Sequence, residues 1–241
     1  MSAARPLVPA ATASAAGTAR PRALPSRLSP GEWQRRLLHM APGLLPVVLW
    51  FVPHQVPLSP VLRGILLAAI VGLAGLVWSR WRAVRRAEDA GDAGRLPAVA
   101  GYAGGVLLTL FCFPDRPECG FAVLGVLAFG DGSATLFGKL TAGTSLHAQL
   151  PWNRAKSWAG LIAFLVCGTL AAAILYRGES LNAEALTPAA SWGEALAIGL
   201  CGAVPAGLWE SARSRLNDNI RVSLAAAVGV LIAHAIRVSG L

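Results

Sequence analysis

Apolar residues come in blocks along this chain, at 37–56, 61–79, 98–113, 120–137, 158–176, 192–209 and 222–236, separated by short polar connections. Each block approaches the about 20 apolar residues a helix needs to cross a hydrocarbon core about 30 Å thick. The pattern predicts an all-α protein, a polytopic bundle of seven transmembrane helices. Pro42, Pro46, Pro53 and Pro205 fall inside blocks, which predicts kinks and leaves the count open by one.

Composition narrows the class. Hydrophobic residues make up 55% of the 241 and charged residues 14%, against about 25% charged in an average soluble domain, which excludes an ordinary soluble globular protein. The net charge of +9 would suggest nucleic acid in a soluble protein, but in a membrane protein Lys and Arg set orientation. With the N-terminus in the cytoplasm, the arginines before residue 37, those at 80–95, and Lys139, Arg154, Lys156, Arg213, Arg215 and Arg221 all fall inside. Only four of the 21 basic residues, Arg63, Arg116, Arg177 and Arg237, are left outside. This asymmetry predicts an odd number of spans with the N-terminus cytoplasmic and no nucleic-acid partner.

Residues 1–30 are rich in Ala, Pro, Ser and Arg and contain no acid, which predicts a disordered tail ahead of a membrane domain over 31–241. An acid-poor, Arg-bearing leader also fits an organellar transit peptide, so the membrane is either a cytoplasmic or an organellar one. Cys112, Cys119, Cys167 and Cys201 show neither a CxxC nor a Cys/His ligand spacing, so no zinc site or redox motif is indicated. They read as small apolar residues, with a Cys112–Cys119 bridge as the alternative.

Four polar clusters interrupt the apolar pattern. In the fourth block, Asp131 sits within Gly130-Asp131-Gly132-Ser133-Ala134, and Lys139 follows two turns later. A carboxylate at bilayer depth costs about 2.5–3.5 kcal/mol and normally faces a polar cavity and a partner. The alternative is that the span ends near Gly130 and leaves Asp131 in a wet loop. The small neighbours would let a phosphate or a hydrated metal approach the backbone, although small residues also serve helix packing. The stretch is not a Walker A loop, since Leu140 follows Lys139 where Ser or Thr would reach Mg²⁺.

Lys156-Ser157 opens the fifth block on the same predicted face, where a cation can meet a phosphate or simply snorkel to the interface. Glu210 ends the sixth block and Asn217-Asp218-Asn219 precede the seventh. Such oxygen donors suit Mg²⁺, and Asn-Asp-Asn is equally ordinary turn and cap chemistry. Arg35-Arg36-Leu37-Leu38-His39 starts the first block, where the arginines can anchor to headgroups and His39 can accept a proton or orient a ligand. All four clusters fall on the cytoplasmic side of a topology derived from other charges. Together they offer carboxylates, amide oxygens and cations, the groups that phosphoryl transfer from a metal-bound nucleotide needs.

Four motifs, in order and spanning 31 to about 225, resemble the dolichol kinase, phytol kinase and CTP-dependent diacylglycerol kinase family of integral membrane proteins. They are Arg-Arg-x-x-His at 35–39, Gly-Asp-Gly-x-Ala-x-x-x-Gly-Lys at 130–139, Lys156-Ser157-x-x-Gly160, and Glu210 with Asp218-Asn219. The resemblance implies phosphorylation of a lipid alcohol (phytol, a polyprenol, dolichol or diacylglycerol) with CTP as donor and a divalent cation such as Mg²⁺. Where phytol kinase-like members have Asp-Asp-Asn followed by Pro, this chain has Asn217-Asp218-Asn219 and no Pro, which leaves metal stoichiometry and donor open.

On this reading Asp131 and Asp218 hold Mg²⁺ with Asn217 or Asn219. Lys139 and Lys156 neutralise the transferred phosphoryl group, with Gly130, Gly132, Ser157, Arg35 and Arg36 around the nucleotide. Asp131, or else His39, takes the acceptor's proton. The similar phosphatidate cytidylyltransferases are the runner-up, but their Lys-Asp and His-Gly-Gly stretch with paired aspartates is absent here. A small ion- or proton-coupled transporter using Asp131 is the alternative of another class.

Overall fold

The computed structural model describes residues 30–51, 59–79, 113–145, 147–183, 185–214 and 218–240, with Gly104, Leu107 and Phe111. The expected tail and nearly all of the 98–113 block lie outside these residues. The described elements are α1 (Pro30–Met40), a 3-10 turn (Ala41–Leu44), α2 (Leu45–Leu49), α3 (Pro60–Ser79), α4 (Pro117–Leu140), strands β1 (Gln149–Leu150) and β2 (Asn153–Ser157), α5 (Trp158–Ser180), α6 (Trp192–Ser211) and α7 (Asp218–Ser239). Three of them, α4, α5 and α7, are long and apolar enough to cross a membrane.

The first apolar block is not one helix, contrary to the pattern. Pro42 and Pro46 each lack the backbone donor that would continue the ladder, so the chain passes through the 3-10 turn and resumes helix for only five residues in α2. Pro205, by contrast, lies inside α6 without ending it, as prolines do where neighbouring helices surround the freed backbone groups. Ser157 caps α5 by accepting from the Gly160 amide at 3.2 Å, and Ser191 and Glu194 form a reciprocal capping box at the start of α6.

Among the described residues, four long helices pack into a bundle. α5 packs between α4 and α6, α6 packs on α7, and α7 returns to α4 to close the ring, with successive helices antiparallel. Small residues permit this: Ala172, Ala173, Ala203, Ala206 and Ala226 are fully buried. A Cβ at Gly199 would lie 2.5 Å from the Thr169 carbonyl oxygen, and one at Gly229 would meet the Cys201 carbonyl, so the helices touch backbone to backbone. The outside is inverted relative to a soluble bundle. Ile162, Val166, Leu170 and Ile174 on α5, and Leu224, Val228, Ile232 and Ile236 on α7, are exposed at every fourth position. Such continuous apolar stripes suit lipid rather than water. Trp158 and Arg177, near the two ends of α5, are 19 residues apart, about 29 Å of helix, which matches the hydrocarbon thickness.

The strands were not anticipated. β1 and β2 form an antiparallel hairpin between α4 and α5, pairing Gln149 with Ser157 and Leu150 with Asn153. Asn153 donates to the Ser211 carbonyl at 2.9 Å and accepts from the Ala155 amide at 3.2 Å, while the Trp152 indole donates to the Ser211 hydroxyl at 3.1 Å. The hairpin is thereby fastened to the end of α6, where the C-terminal half of α4, the start of α5 and the start of α7 also meet.

Candidate functional site

Asp131 does not sit in a wet loop. The α4 backbone passes from ordinary helix through a π-helical turn, Val126–Gly130, and continues as helix from Asp131 to Leu140. The wider turn rotates the face that follows it, and such turns gather at functional positions. Asp131 stands nine residues, about 14 Å, short of the end of α4. Ser133 braces the same turn, donating to the Gly130 carbonyl at 2.9 Å and to the Ala163 carbonyl at 3.1 Å.

The broken first block now has a local role. The 3-10 turn docks on the π-helical turn, where a Cβ at Gly43 would lie 2.6 Å from the Phe129 ring. This contact carries the end of α1 to Asp131, so that His39 Nε2 lies 3.1 Å from Asp131 Oδ2. Arg36 on the same helix is only 5% exposed and acts electrostatically on Asp131, whereas Trp33 and Leu37 face outward. The expected headgroup anchor is therefore turned inward at Arg36, with Arg35 half-buried beside it.

Lys156, at the end of β2, forms an ion pair with Glu210 at the end of α6. The Glu210 side chain is 4% exposed and that of Lys156 34%. Burial disfavours the Lys156 ammonium, but the Glu210 carboxylate, its hydrogen bond, and the charges of Asp131 and Asp218 outweigh it and hold the lysine above its ordinary range. Glu210 in turn feels Lys156, Asp131 and Asp218, so the pair lies within electrostatic reach of both aspartates. Asp218, in the first turn of α7, pairs with Arg221 three residues on. Arg221 is 2% exposed and also donates to the Trp209 carbonyl at 2.7 Å and the Ala212 carbonyl at 3.2 Å, tying the end of α6 to the start of α7.

Residues predicted from five separate stretches thus reach one end of the bundle, but not all in the expected roles. The spaces over Gly130 and Gly132 are filled: a Cβ at Gly132 would lie 2.7 Å from Met40 Cγ, and one at Gly130 3.1 Å from the Phe164 ring. These glycines admit helices rather than a phosphate. Ser157 is engaged as the α5 cap. Lys139 lies eight residues beyond Asp131, about 12 Å along the axis, in the last turn of α4. Asn219 lies in the first turn of α7, its carbonyl accepting from the Ser223 hydroxyl at 2.8 Å; Asn217 lies outside the described residues.

Two participants were underrated. Glu210 was given as an oxygen donor and a motif residue without its lysine partner, and Arg221 as a topology charge, although an acid and a base three apart at a helix start was a legible signal. The π-helical turn has no signature in the residue pattern.

The oxygen donors here suit a hard cation. Each carboxylate meets one nitrogen-bearing side chain through one oxygen, Asp131 with His39, Glu210 with Lys156 and Asp218 with Arg221. They do not form a closed cage. Among the described residues, the three-donor group within 4.8 Å is Glu118, Cys119 and His234, at the other end of the bundle. An open site suits Mg²⁺, which takes one or two carboxylates and completes its shell with water and phosphate oxygens. No protein-family model, curated protein or solved structure matches this chain, so its functional reading rests on these residues and their geometry.

Proposed function

We propose that the protein is a multi-pass membrane lipid-alcohol kinase that transfers the terminal phosphoryl group of a nucleoside triphosphate, CTP on the sequence resemblance, to the hydroxyl of a phytol-, polyprenol- or diacylglycerol-like acceptor. The N-terminus and the hairpin end face the cytoplasm, where the nucleotide is. One observation carries this reading: Asp131, Lys156, Glu210 and Asp218, from four different elements, interact electrostatically at one end of a bundle whose outer surface is apolar. Charges brought into such a setting cost stability unless function retains them.

In this mechanism Asp131 and Asp218 would hold Mg²⁺, with Glu210 within electrostatic reach of both. Bound Mg²⁺ supplies charge neutralisation and orientation of the phosphates. Lys156 and Arg36 add positive charge where the phosphoryl group passes, the electrostatic part of the catalysis. His39 Nε2 lies 3.1 Å from Asp131 Oδ2, and in this mechanism the His39 ring takes the acceptor's proton while the carboxylate orients the ring and stabilises the imidazolium. The acceptor's chain stays against the apolar outer faces while its hydroxyl enters beside α1.

A transport role fits less well. Among the described residues, Val123, Val126, Leu127 and Phe164 are completely buried between the two polar ends, and such apolar packing does not favour the passage of an ion there. The test is transfer of label from nucleotide to lipid alcohol by purified protein in vesicles. Asp131→Asn preserves side-chain size and removes the charge, and is expected to lower turnover at least about 10²-fold, the lower bound for a group managing a proton. Near-normal turnover by folded Asp131→Asn would overturn the assignment.

A further inference from the structure

At the opposite end of the bundle lies a second polar cluster that the proposed kinase chemistry does not use. Glu118 and Cys119 occupy the first turn of α4, and His234 lies near the end of α7. One donor atom from each falls within a group no more than 4.8 Å across, and all three residues are buried. We propose that Glu118, Cys119 and His234 form a binding site for a zinc-type divalent transition metal. The separation of 115 positions between Cys119 and His234 explains why no ligand spacing announced it.

The donor chemistry selects the metal class. A carboxylate, a thiol and an imidazole are the three ligand types that Zn²⁺ accepts together, whereas Mg²⁺ and Ca²⁺ prefer oxygen throughout. Three protein ligands leave a fourth position for water or another group. The residues behind the donors are arranged as supporting partners of metal ligands usually are. Thr187 donates to Glu118 Oε1 at 3.0 Å and so helps to hold the carboxylate in place. The Tyr176 hydroxyl lies 2.8 Å from His234 Nδ1, which commits that nitrogen and leaves Nε2 for a ligand. Arg237 approaches the same hydroxyl at 3.4 Å while its remaining nitrogens bind Glu194 and the Pro188 carbonyl.

Glu118 is 3% exposed, and a second buried acid, Glu179, acts on it repulsively; the facing cations are Arg116 and Arg237. A dication would offset both the carboxylate and the thiolate it creates. Binding breaks the Cys119 S–H bond, forms the metal–sulfur bond and releases the proton to solvent, with no change of oxidation state.

The site is separate from the proposed kinase centre, so its test is independent of that reading. Tag-free full-length protein in detergent is stripped with a chelator and titrated with Co²⁺. The expected result is one equivalent bound, with a sulfur-to-cobalt charge-transfer band in the near ultraviolet and the visible bands of a four-coordinate ion, all displaced by Zn²⁺. Cys119→Ser, a small change at a buried position, should abolish the charge-transfer band. Tyr176→Phe should weaken binding about 10- to 100-fold, as loss of a supporting partner does. Absence of the band in wild-type protein would overturn the proposal. So would a band that survives Cys119→Ser, because another cysteine would then be the ligand.

Discussion

Removing either member of the Lys156–Glu210 pair deletes the same interaction, yet the structure predicts unequal costs. The Glu210 side chain is 4% exposed, so Lys156→Met leaves a carboxylate deep in the bundle with Asp131 and Asp218 as neighbours of like charge. An uncompensated buried charge of this kind costs about 3–5 kcal/mol. Glu210→Gln instead leaves an ammonium with a third of its surface in water, still attracted by the two aspartates. That loss belongs nearer the scale of an exposed pair, about 1 kcal/mol or less. The double variant has no orphaned carboxylate and should recover about 2 kcal/mol relative to Lys156→Met alone. Reversible unfolding in mixed micelles, followed by tryptophan fluorescence, measures all four corners of the cycle. Equal costs for the two single variants, or strictly additive costs, would refute the claim that Glu210 is the buried member of a coupled pair.

The same lysine sets a pH dependence. Its folded-state pKa is raised above the ordinary value near 10.5, so its contribution is complete below that value and is lost as pH rises through the folded one. The stability difference between wild type and Lys156→Met should be largest in mild alkali, shrink in strong alkali as Lys156 loses its proton, and shrink in acid as protonation of the orphaned Glu210 relieves the variant; a difference that does not change with pH would contradict this. Glycine substitutions should divide by position. Gly199→Ala places a methyl 2.5 Å from the Thr169 carbonyl oxygen and should cost about 1–3 kcal/mol, while Gly64→Ala meets nothing within 4 Å and should be neutral or stabilising by up to about 1 kcal/mol. The same unfolding assay ranks them, and equal effects would mean that α5 and α6 are not in backbone contact.

Block length and composition made the long helices legible: the blocks at 120–137, 158–176, 192–209 and 222–236 lie inside α4, α5, α6 and α7. The ends were missed by a few residues because polar caps and last turns, such as Glu179-Ser180 on α5, carry no apolar signal. The break in the first block was hidden for a different reason. Pro42 and Pro46 suggested a kink, but whether a proline kinks or ends a helix depends on what packs around it, as Pro205 in α6 illustrates. The hairpin was invisible because its fastening, Asn153 and Trp152 onto Ser211, joins residues about 60 apart.

At the candidate site, Asp131, His39, Lys156 and Asp218 could be chosen as costly or exceptional residues in an apolar chain. Apart from the i,i+3 pair of Asp218 with Arg221, which residue meets which could not be read. That Lys156 meets Glu210, that Arg36 turns inward, and that the glycines around Asp131 are filled by Met40 and Phe164 are consequences of how the helices cross.

The central claim is that this cluster moves a terminal phosphoryl group onto a lipid hydroxyl, and label position tests it most directly. Purified protein in vesicles is given a long-chain alcohol, Mg²⁺ and CTP labelled at either the α- or the γ-phosphate. The account predicts γ-label in the lipid, no α-label there, and CDP as the released nucleotide. Appearance of α-label in the lipid with release of diphosphate, or no lipid label with any acceptor or nucleoside triphosphate, would contradict it.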